Sequence, residues 1–327
     1  MKVCVFGAGA IGGHVAARLA AKHAAEISVI ARGAHLEAIK QRGITLDSEG
    51  EIISGKPAVA TSEPLTLPPQ DLVIVALKTS TLPSAADTIA RLLGDKGIAL
   101  FLLNGIPWWW RHGLPGSAET LRLLDPESAL WDRVRPQRVV GSVVYSPNDV
   151  TAPGMIEHRG FNRFIFGEPD GSSSARLQAV VELFTRGGMK AEATPDIRRQ
   201  IWRKLVTNAA GNPLCALTRL TLGEMGADPG LGQLMTQVAR EVMAVAAALG
   251  WDISKDIELA KVAARTEHKP GVRASMLQDM MLKRPLEAEA HLGQVQAFAR
   301  EKNVAVPAID VVLPLLRGLD QGLQRGR

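Results

Sequence analysis

The chain has 327 residues, of which 46% are hydrophobic and 22% are charged, and its formal net charge at pH 7 is +5. This composition is typical of a soluble globular protein with room for two domains, and it argues against a disordered chain. Lysine and arginine are scattered without a dense basic run, which argues against nucleic-acid binding. No apolar stretch has the length of a membrane span, so we expect no membrane partner.

The two cysteines, Cys4 and Cys215, lie in apolar surroundings and lack the spacing of metal ligands. We interpret them as buried free thiols, which fits a protein of the reducing cytoplasm. The sequence therefore predicts neither a disulfide nor a metal site.

A glycine-rich turn follows the first predicted strand. Residues Lys2–Phe6 form an apolar run typical of a buried parallel strand, and a helical pattern begins after the turn. The glycines match G-x-G-x-x-G, in which the first permits a tight turn, the second lets backbone approach a pyrophosphate and the third allows close helix–strand packing. We expect a dinucleotide to bind here, at Gly7, Gly9, Ala10, Ile11 and Gly12.

The same segment also resembles a secretory signal peptide, because a basic residue precedes a run of small and apolar residues. A signal peptide needs a continuous apolar helix, however, and three glycines within the run disfavour one. The dinucleotide interpretation explains each glycine, so it is the one we adopt.

The residue after the second strand of such a fold distinguishes the two nicotinamide cofactors. An Asp or Glu there binds the ribose 2′-OH of NAD. In this sequence the second strand is predicted at residues 27–31, and Arg32 follows it with no acidic residue before His35. A guanidinium can bind a 2′-phosphate in a forked geometry, so Arg32 predicts NADP(H) as the cofactor.

Polar residues follow two further apolar strands, predicted at residues 71–77 and 98–103. Lys78 comes directly after the first strand, and Asn104, followed by a glycine, comes after the second. Ligands of open α/β sheets bind beyond the carboxyl ends of strands, so both side chains are candidates for cofactor contact. One or two of the consecutive tryptophans Trp108, Trp109 and Trp110 are expected to pack in a core, but three in a row in a loop are not expected to face the same one. Two alternatives therefore stay open beside simple packing, a substrate-pocket wall and a partner surface.

The rest of the chain predicts the domain organisation. Three short runs, at residues 138–146, 154–158 and 162–167, look like antiparallel additions to the sheet, and turn-forming residues at 167–175 indicate a linker. Beyond the linker the apolar periodicity is helical, apart from a short strand-like segment at residues 189–193. Helices are predicted at residues 176–184, 196–210, 231–249, 257–266 and 286–302. The sequence thus predicts an α/β protein with a Rossmann dinucleotide-binding domain at residues 1–168 and an all-helical domain at residues 169–327.

One predicted helix of the second domain carries a polar stripe. Lys204, Asn208 and Asn212 are spaced four residues apart and so share one helix face. The stripe is either a polar network between helices or a catalytic cation flanked by hydrogen-bonding amides. Ser275 and Glu287 of a later segment are further candidates, since an acid near Lys204 would keep it charged and orient it.

These motifs resemble those of the ketopantoate reductase (2-dehydropantoate 2-reductase) family. The similarity runs over nearly the whole chain, from GAGAIGG and the arginine after the second strand to VALK, Asn-Gly, WRKLVTNAAGNPL and SMLQD. The glycine motif is generic, whereas the WRKL-x-x-N-x-x-x-NP pattern together with SMLQD is specific.

The resemblance implies NADPH-dependent reduction of ketopantoate to pantoate, a step towards pantothenate and coenzyme A, in the cytoplasm. It implies a helical domain like the C-terminal domain of 6-phosphogluconate dehydrogenase and an active site in the cleft between the domains. Lys204 would be the general acid and Glu287 its partner, and Lys78 and Asn104 would lie near the nicotinamide. The substrate would contact Asn104, Asn208, Asn212 and Ser275. A homodimer is compatible with the resemblance.

Two departures from the usual family pattern concern the substrate. Bulky tryptophans follow the Asn-Gly, and the segment after SMLQD reads Leu-Glu-Ala-Glu at residues 286–289 in place of Thr-Glu-Ile-Asp. A reductase of a different 2-keto acid therefore stays open as an alternative. A third alternative is a regulator that senses NADP without turnover, but such a protein would be expected to lose Lys204 or Glu287, and both are present.

Overall fold

The computed structural model describes residues 1–116, 119–263 and 273–325. It divides into two compact units, of which the first comprises Met1–Leu103 and Trp108–Ile197 and the second comprises Asn104–Pro107 and Arg198–Arg327. This division differs from the predicted boundary at 168/169. The predicted linker is part of the first unit, because the buried carboxylate of Glu168 accepts hydrogen bonds from Arg176 Nε (2.8 Å) and Nη2 (2.6 Å).

The described residues of the first unit form twelve strands and four α-helices. Its strands are β1 (Lys2–Phe6), β2 (Glu26–Ile30), β3 (Ile44–Ser48), β4 (Glu51–Gly55), β5 (Val59–Thr61), β6 (Leu72–Val75), β7 (Ile98–Phe101), β8 (Val139–Tyr145), β9 (Asn148–Ala152), β10 (Met155–His158), β11 (Arg163–Gly167) and β12 (Lys190–Ala193). Its helices are α1 (Ala10–Ala21), α2 (Gly33–Arg42), α3 (Ala86–Leu93) and α4 (Ala175–Arg186). Short 3-10 or π-helical turns lie at Pro64–Thr66, Thr79–Thr81, Pro83–Ala85, Leu130–Val134 and Pro136–Arg138.

The main sheet has eight strands in the order β12-β11-β8-β7-β6-β1-β2-β5. β1 lies between β2 and β6 and is parallel to both, with its last residue Phe6 opposite Ile30 of β2 and Val75 of β6. From β1 the chain continues to β2 on one side of it and later forms β6 on the other side. The carboxyl end of β1 is therefore a topological switch point. The predicted Rossmann fold is therefore confirmed.

The predicted antiparallel additions to the sheet are correct only in part. β8 is parallel to β7 and antiparallel to β11, whereas β10 belongs to a second, four-stranded sheet of order β4-β3-β10-β9. α1 packs on this second sheet so closely that a Cβ on Gly55 of β4 would lie 2.2 Å from the carbonyl oxygen of Ala17. The prediction fails here because an apolar pattern identifies a strand but carries no information about its partner.

The three consecutive tryptophans are core residues of the first unit, so the predicted pocket wall and partner surface are both wrong. Trp108, Trp109 and Trp110 are each 1% exposed. They lie in a series of turns rather than in a strand or helix, which lets successive side chains point in different directions. The Trp108 ring packs edge-on against Phe101, with centroids 5.6 Å apart, and Trp109 fills space that Gly141 leaves because it has no Cβ.

In its described residues the second unit forms helices joined by loops and no strands, as predicted. Its helices are α5 (Ile197–Thr218), α6 (Leu222–Ala227), α7 (Pro229–Ala248), α8 (Leu259–Ala263), α9 (Ser275–Met281), α10 (Gln294–Glu301) and α11 (Pro307–Arg325), with a π-helical turn at Glu289–Gly293. α5 continues past Pro213, well beyond the predicted end at residue 210. Of the helix predicted at 257–266, the last three residues lie outside the described ranges. α11 was not predicted, and its first turn is capped by Glu241 of α7, whose carboxylate accepts from the Ala308 and Ile309 N–H groups at 2.9 Å each.

Both cysteines are buried free thiols, as predicted, and burial raises the pKa of Cys4 to about 12. None of the helices in the described ranges is long and apolar enough to cross a membrane.

Candidate active site

The glycine turn presents open backbone at the start of α1. Gly9 is the N-cap residue and has no side chain to bond the N–H groups of the first turn, where Ala10 and Ile11 are half-buried. A Cβ on Gly9 would meet no atom within 4 Å, whereas a Cβ on Gly12 would lie 1.9 Å from the Gly7 carbonyl oxygen. Gly7 itself has a φ of +101°, which favours glycine. Uncapped N–H groups beside open space fit a phosphate group.

Arg32 and Lys78 lie just after strands of the main sheet, at the same edge of the sheet as the glycine turn. They follow β2 and β6, whose residues Ile30 and Val75 both pair with Phe6 at the end of β1. Arg32 is exposed at the N-cap of α2, and Lys78 is half-buried just before a 3-10 turn. The predicted cofactor residues of the first unit therefore lie beyond the carboxyl ends of three adjacent strands, where open α/β sheets bind ligands.

Asn104, predicted as a cofactor and substrate residue, belongs to the second unit. Its segment is held by the π-helical turn Glu289–Gly293, because the Ile106 N–H donates to the Ala290 carbonyl oxygen over 2.8 Å. Gly105 has a φ of +81° and lies so close that a Cβ there would be 2.4 Å from the same carbonyl oxygen. Glycine is therefore required at position 105, and π-helical turns are frequent at functional sites.

The held asparagine orients Lys204 of α5. Lys204 Nζ donates a hydrogen bond to Asn104 Oδ1 over 2.6 Å. Desolvation lowers the pKa of Lys204 from 10.5 to about 8, and the negative charge of Glu287 opposes that shift. An ammonium with a pKa close to neutral, fixed by an amide oxygen, can serve as a general acid.

The polar stripe of α5 forms as predicted, and it reaches a second helix. Asn208 is half-buried one turn after Lys204, and Asn212 is 5% exposed one turn further on. Asn212 Nδ2 donates to Ser275 Oγ, the first residue of α9, over 3.4 Å. The structure thus brings Lys204 to Asn104 and Asn212 to Ser275 within one unit.

Sequence reasoning missed the residues that hold the segment around Glu287. The Glu289 carboxylate accepts two hydrogen bonds from Arg317 of α11, from Nε and Nη2 at 2.7 Å each. Asp320 Oδ1, also on α11, accepts from the Leu286 N–H over 2.8 Å. A bidentate pair fixes orientation as well as distance. No sequence signal could have found it, because α11 was not predicted and the contact depends on how that helix packs.

Comparison with known families and structures shows the family to which the chain belongs. The ketopantoate reductase PanE/ApbA family model matches residues 3–171, and the ketopantoate reductase PanE/ApbA C-terminal model matches residues 196–320. The chain is 42% identical over 330 residues to the 2-dehydropantoate 2-reductase of Mesorhizobium japonicum, covering 100% of this chain and 99% of that one.

Solved structures show the same fold. A proposed ketopantoate reductase from Ralstonia solanacearum is 34% identical with a TM-score of 0.90, covering 99% of this chain and 98% of that one. D-mandelate dehydrogenase with NADH and anilino(oxo)acetate is 21% identical with a TM-score of 0.81, covering 99% of both chains, and shares the fold. The chain belongs to the ketopantoate reductase family of dinucleotide-dependent oxidoreductases.

Proposed function

We propose that this protein reduces 2-dehydropantoate (ketopantoate) to pantoate with NADPH, a step towards pantothenate and coenzyme A. The observation that carries the proposal is the Lys204 ammonium, bonded to Asn104 Oδ1 and charge-coupled to Glu287. The 42% identity to a relative named for this reaction supports the choice of substrate.

The chemistry needs a proton donor next to the substrate carbonyl. When bound, the nicotinamide cofactor supplies a hydride to the carbonyl carbon. Charge then develops on the carbonyl oxygen, where Lys204 stabilises it and transfers one proton to it. Solvent returns a proton to Lys204 after each turnover, and the charge of Glu287 favours the ammonium form.

The two α5 amides and the α9 hydroxyl are the proposed substrate ligands. Asn208 and Asn212 can each donate and accept hydrogen bonds, and the Ser275 hydroxyl can do both. Such groups suit a substrate that carries a carboxylate, a carbonyl and a hydroxyl. Asn212 is already oriented by its bond to Ser275, so little ordering is needed when substrate binds.

Turnover assays with several keto acids test the substrate. We expect NADPH oxidation at 340 nm to be fastest, and selective, with ketopantoate among a panel of 2-keto acids. A better substrate elsewhere in the panel would favour the alternative of a different 2-keto acid. The burial of Trp108, Trp109 and Trp110 removes one sequence argument for that alternative. The regulator alternative predicts no turnover with any keto acid, and the family's oxidoreductases argue against it.

Lys204→Ala tests the proton donor. Loss of a positioned general acid should lower kcat by about 10³-fold, while NADPH binding measured by fluorescence stays at the wild-type level. Lys302→Ala, which removes an exposed lysine after α10, is the matched control and should retain full activity. A Lys204→Ala enzyme with near wild-type kcat would refute the assigned role.

Arg32 supports NADPH as the cofactor, because its guanidinium is exposed at the N-cap of α2 beside the glycine turn. Arg32→Ala should raise KM for NADPH by about 10- to 100-fold, the value of a charge-assisted contact, and leave KM for NADH nearly unchanged. Arg186→Ala, at the exposed end of α4, is the control. An unchanged NADPH-to-NADH preference in Arg32→Ala would contradict this assignment.

Cytoplasmic location and a homodimer are further predictions. Cell fractionation and light scattering of the purified protein test them.

A further inference from the structure

His35, in the first turn of α2, is a histidine whose two ring nitrogens are both bonded to backbone. Its Nε2 lies 2.7 Å from the Ala8 carbonyl oxygen, and its Nδ1 lies 3.0 Å from the Gly154 nitrogen. A carbonyl can only accept and an amide N–H can only donate, so Nε2 carries the proton and Nδ1 accepts. The neighbours therefore select one neutral tautomer.

His35 thus bridges the Ala8 carbonyl and the Gly154 N–H, and the Gly154 end of this bridge is itself held in place. Gly154 lies in the turn between β9 and β10 with a φ of +75°, and its carbonyl oxygen accepts from the Thr45 N–H over 2.9 Å. Arg42 Nη2, at the end of α2, donates to the Pro153 carbonyl oxygen over 2.6 Å. The β9–β10 turn is thus attached to α2 and β3, and it provides a firm support for the His35 ring.

The Ala8 side is the middle of the glycine turn. The Ala8 carbonyl and the Gly9 N–H belong to one trans peptide, so they point in opposite directions and cannot rotate independently. Gly9 is exposed, and a Cβ there would meet no atom within 4 Å, so packing on Gly9 does not fix this peptide. Its neighbours are held by the burial of Ala8 and by the bond from the Gly13 N–H to the Gly9 carbonyl oxygen over 2.7 Å. The bond from His35 acts on the Ala8 oxygen itself, so it holds the direction of the Gly9 N–H on the same peptide.

We propose that His35 is a positioning residue for the dinucleotide. By holding the Ala8 carbonyl on the α2 side, it directs the Gly9 N–H away from α2, ready to bond a phosphate oxygen. His35 needs no contact with the cofactor for this role. The inference rests on the proposed function only in taking NADPH as the ligand.

Two amide variants, each of which replaces one ring nitrogen, separate the bond to Gly154 from the bond to Ala8. In His35→Asn, Oδ1 takes the place of Nδ1 and can accept from Gly154, but no atom reaches Ala8. In His35→Gln, Nε2 takes the place of the histidine Nε2 and can donate to Ala8, but the bond to Gly154 is lost. The matched control is His23→Gln, which changes an exposed histidine after α1.

The readout is the Kd for NADPH, measured by fluorescence titration without keto acid, beside steady-state kinetics. We expect His35→Asn to raise the Kd by about tenfold, the value of one hydrogen bond, with kcat at saturating NADPH and KM for the keto acid unchanged. His35→Gln, which keeps the bond to Ala8, should have a Kd for NADPH within about twofold of the wild-type value. A general structural role would instead lower the thermal stability and kcat of both variants together.

Two results would overturn the inference. One is a wild-type Kd in His35→Asn, and the other is an equal loss of affinity in His35→Asn and His35→Gln. Failure of the proposed function looks different, because the wild-type protein would then bind no NADPH or bind NADH more tightly. The Kd of the wild-type protein for NADPH therefore tests the proposed function, and the change of that Kd in the His35 variants tests the inference.

Discussion

Lys204 is the residue whose environment says most about the reaction. Its ammonium donates a hydrogen bond to Asn104 Oδ1. Desolvation lowers the pKa of Lys204 to about 8, and the negative charge of Glu287 opposes that shift. A lysine in solution would hold its proton too tightly to give it up at neutral pH. Desolvation therefore suits the side chain to its proposed role as a proton donor, and the charge of Glu287 favours the ammonium form.

The pH dependence of reduction follows from this pKa. In the proposed mechanism reduction needs the Lys204 ammonium, so kcat/KM for the keto acid should fall above about pH 8, by about tenfold per pH unit. Oxidation of the hydroxy acid needs the neutral amine, so it should rise over the same range. Initial rates in both directions from pH 6 to 10 provide the measurement.

Glu287→Gln gives the matched variant for that profile. Removing the negative charge that raises the pKa of Lys204 should move the alkaline limb to lower pH. Glu258→Gln, which alters an exposed carboxylate ahead of α8, should leave the limb in place. A limb that stays at the same pH in Glu287→Gln would show that the two charges are not coupled.

At the scale of elements, the segment Asn104–Pro107 depends on the π-helical turn Glu289–Gly293. One backbone hydrogen bond and one close glycine contact, both to the Ala290 carbonyl, determine where the Asn104 side chain lies. The Glu289–Arg317 pair holds this π-helical turn to α11. The position of Asn104 in the candidate site therefore depends on packing between elements that are far apart in the chain.

Gly105→Ala tests this dependence. The new Cβ would lie 2.4 Å from the Ala290 oxygen on a backbone with φ of +81°, so the segment must move and draw Asn104 away from Lys204. A displacement of this size is expected to lower kcat by about 10²-fold. Gly250→Ala is the control, because it has a φ of +99° in the same unit but nothing within 4 Å of its Cβ. Equal kcat losses in the two variants would assign the effect to backbone strain alone.

At the scale of the whole molecule, a buried polar network joins the elements of the first unit. Arg18 of α1 donates from Nε to His14 Nε2 over 3.2 Å and from Nη2 to Ser48 Oγ over 2.8 Å. Ser48 Oγ lies 3.0 Å from His158 Nδ1, so α1 is linked to β3 and β10. Burial, followed by the charges of His158 and Arg18, lowers the pKa of His14 to about 3.

This network predicts loss of stability in acid. The unfolded chain takes up a proton at His14 near pH 6.5, whereas the folded protein takes it up only near pH 3. Protons therefore favour the unfolded state over this window, and the free energy of unfolding should fall by about 1.4 kcal/mol per pH unit below pH 6.5 from this group. His14→Gln keeps an acceptor and removes the titration, so its stability should change less with pH.

Urea unfolding at pH 5.5 and 7.5 provides the comparison. Tryptophan fluorescence suits it, because four of the six tryptophans, at positions 108, 109, 110 and 131, lie in the first unit. His23→Gln, at an exposed site, should behave as wild type. The prediction is wrong if His14→Gln loses as much stability as wild type between these two pH values.

Patterns within single elements could be predicted because their physical cause is local. The strand Lys2–Phe6, the glycine turn and the helix that follows are read from neighbouring residues, and the stripe of Lys204, Asn208 and Asn212 needs only helical spacing. Periodicity and glycine chemistry act over a few residues. The Rossmann fold and the polar face of α5 were therefore determined by the sequence alone.

Tertiary structure decided what depends on distant partners. The tryptophans at 108–110 are buried because turns and Gly141 make room for them, and the first unit extends to Ile197 because β12 pairs with β11. Asn104 joins the second unit through the Ala290 carbonyl, and His35 reaches the glycine turn across a gap in sequence. Every residue has a backbone carbonyl, so residue identity does not show which carbonyl a distant group will contact. Such contacts are seen only when the folded chain brings the two partners together.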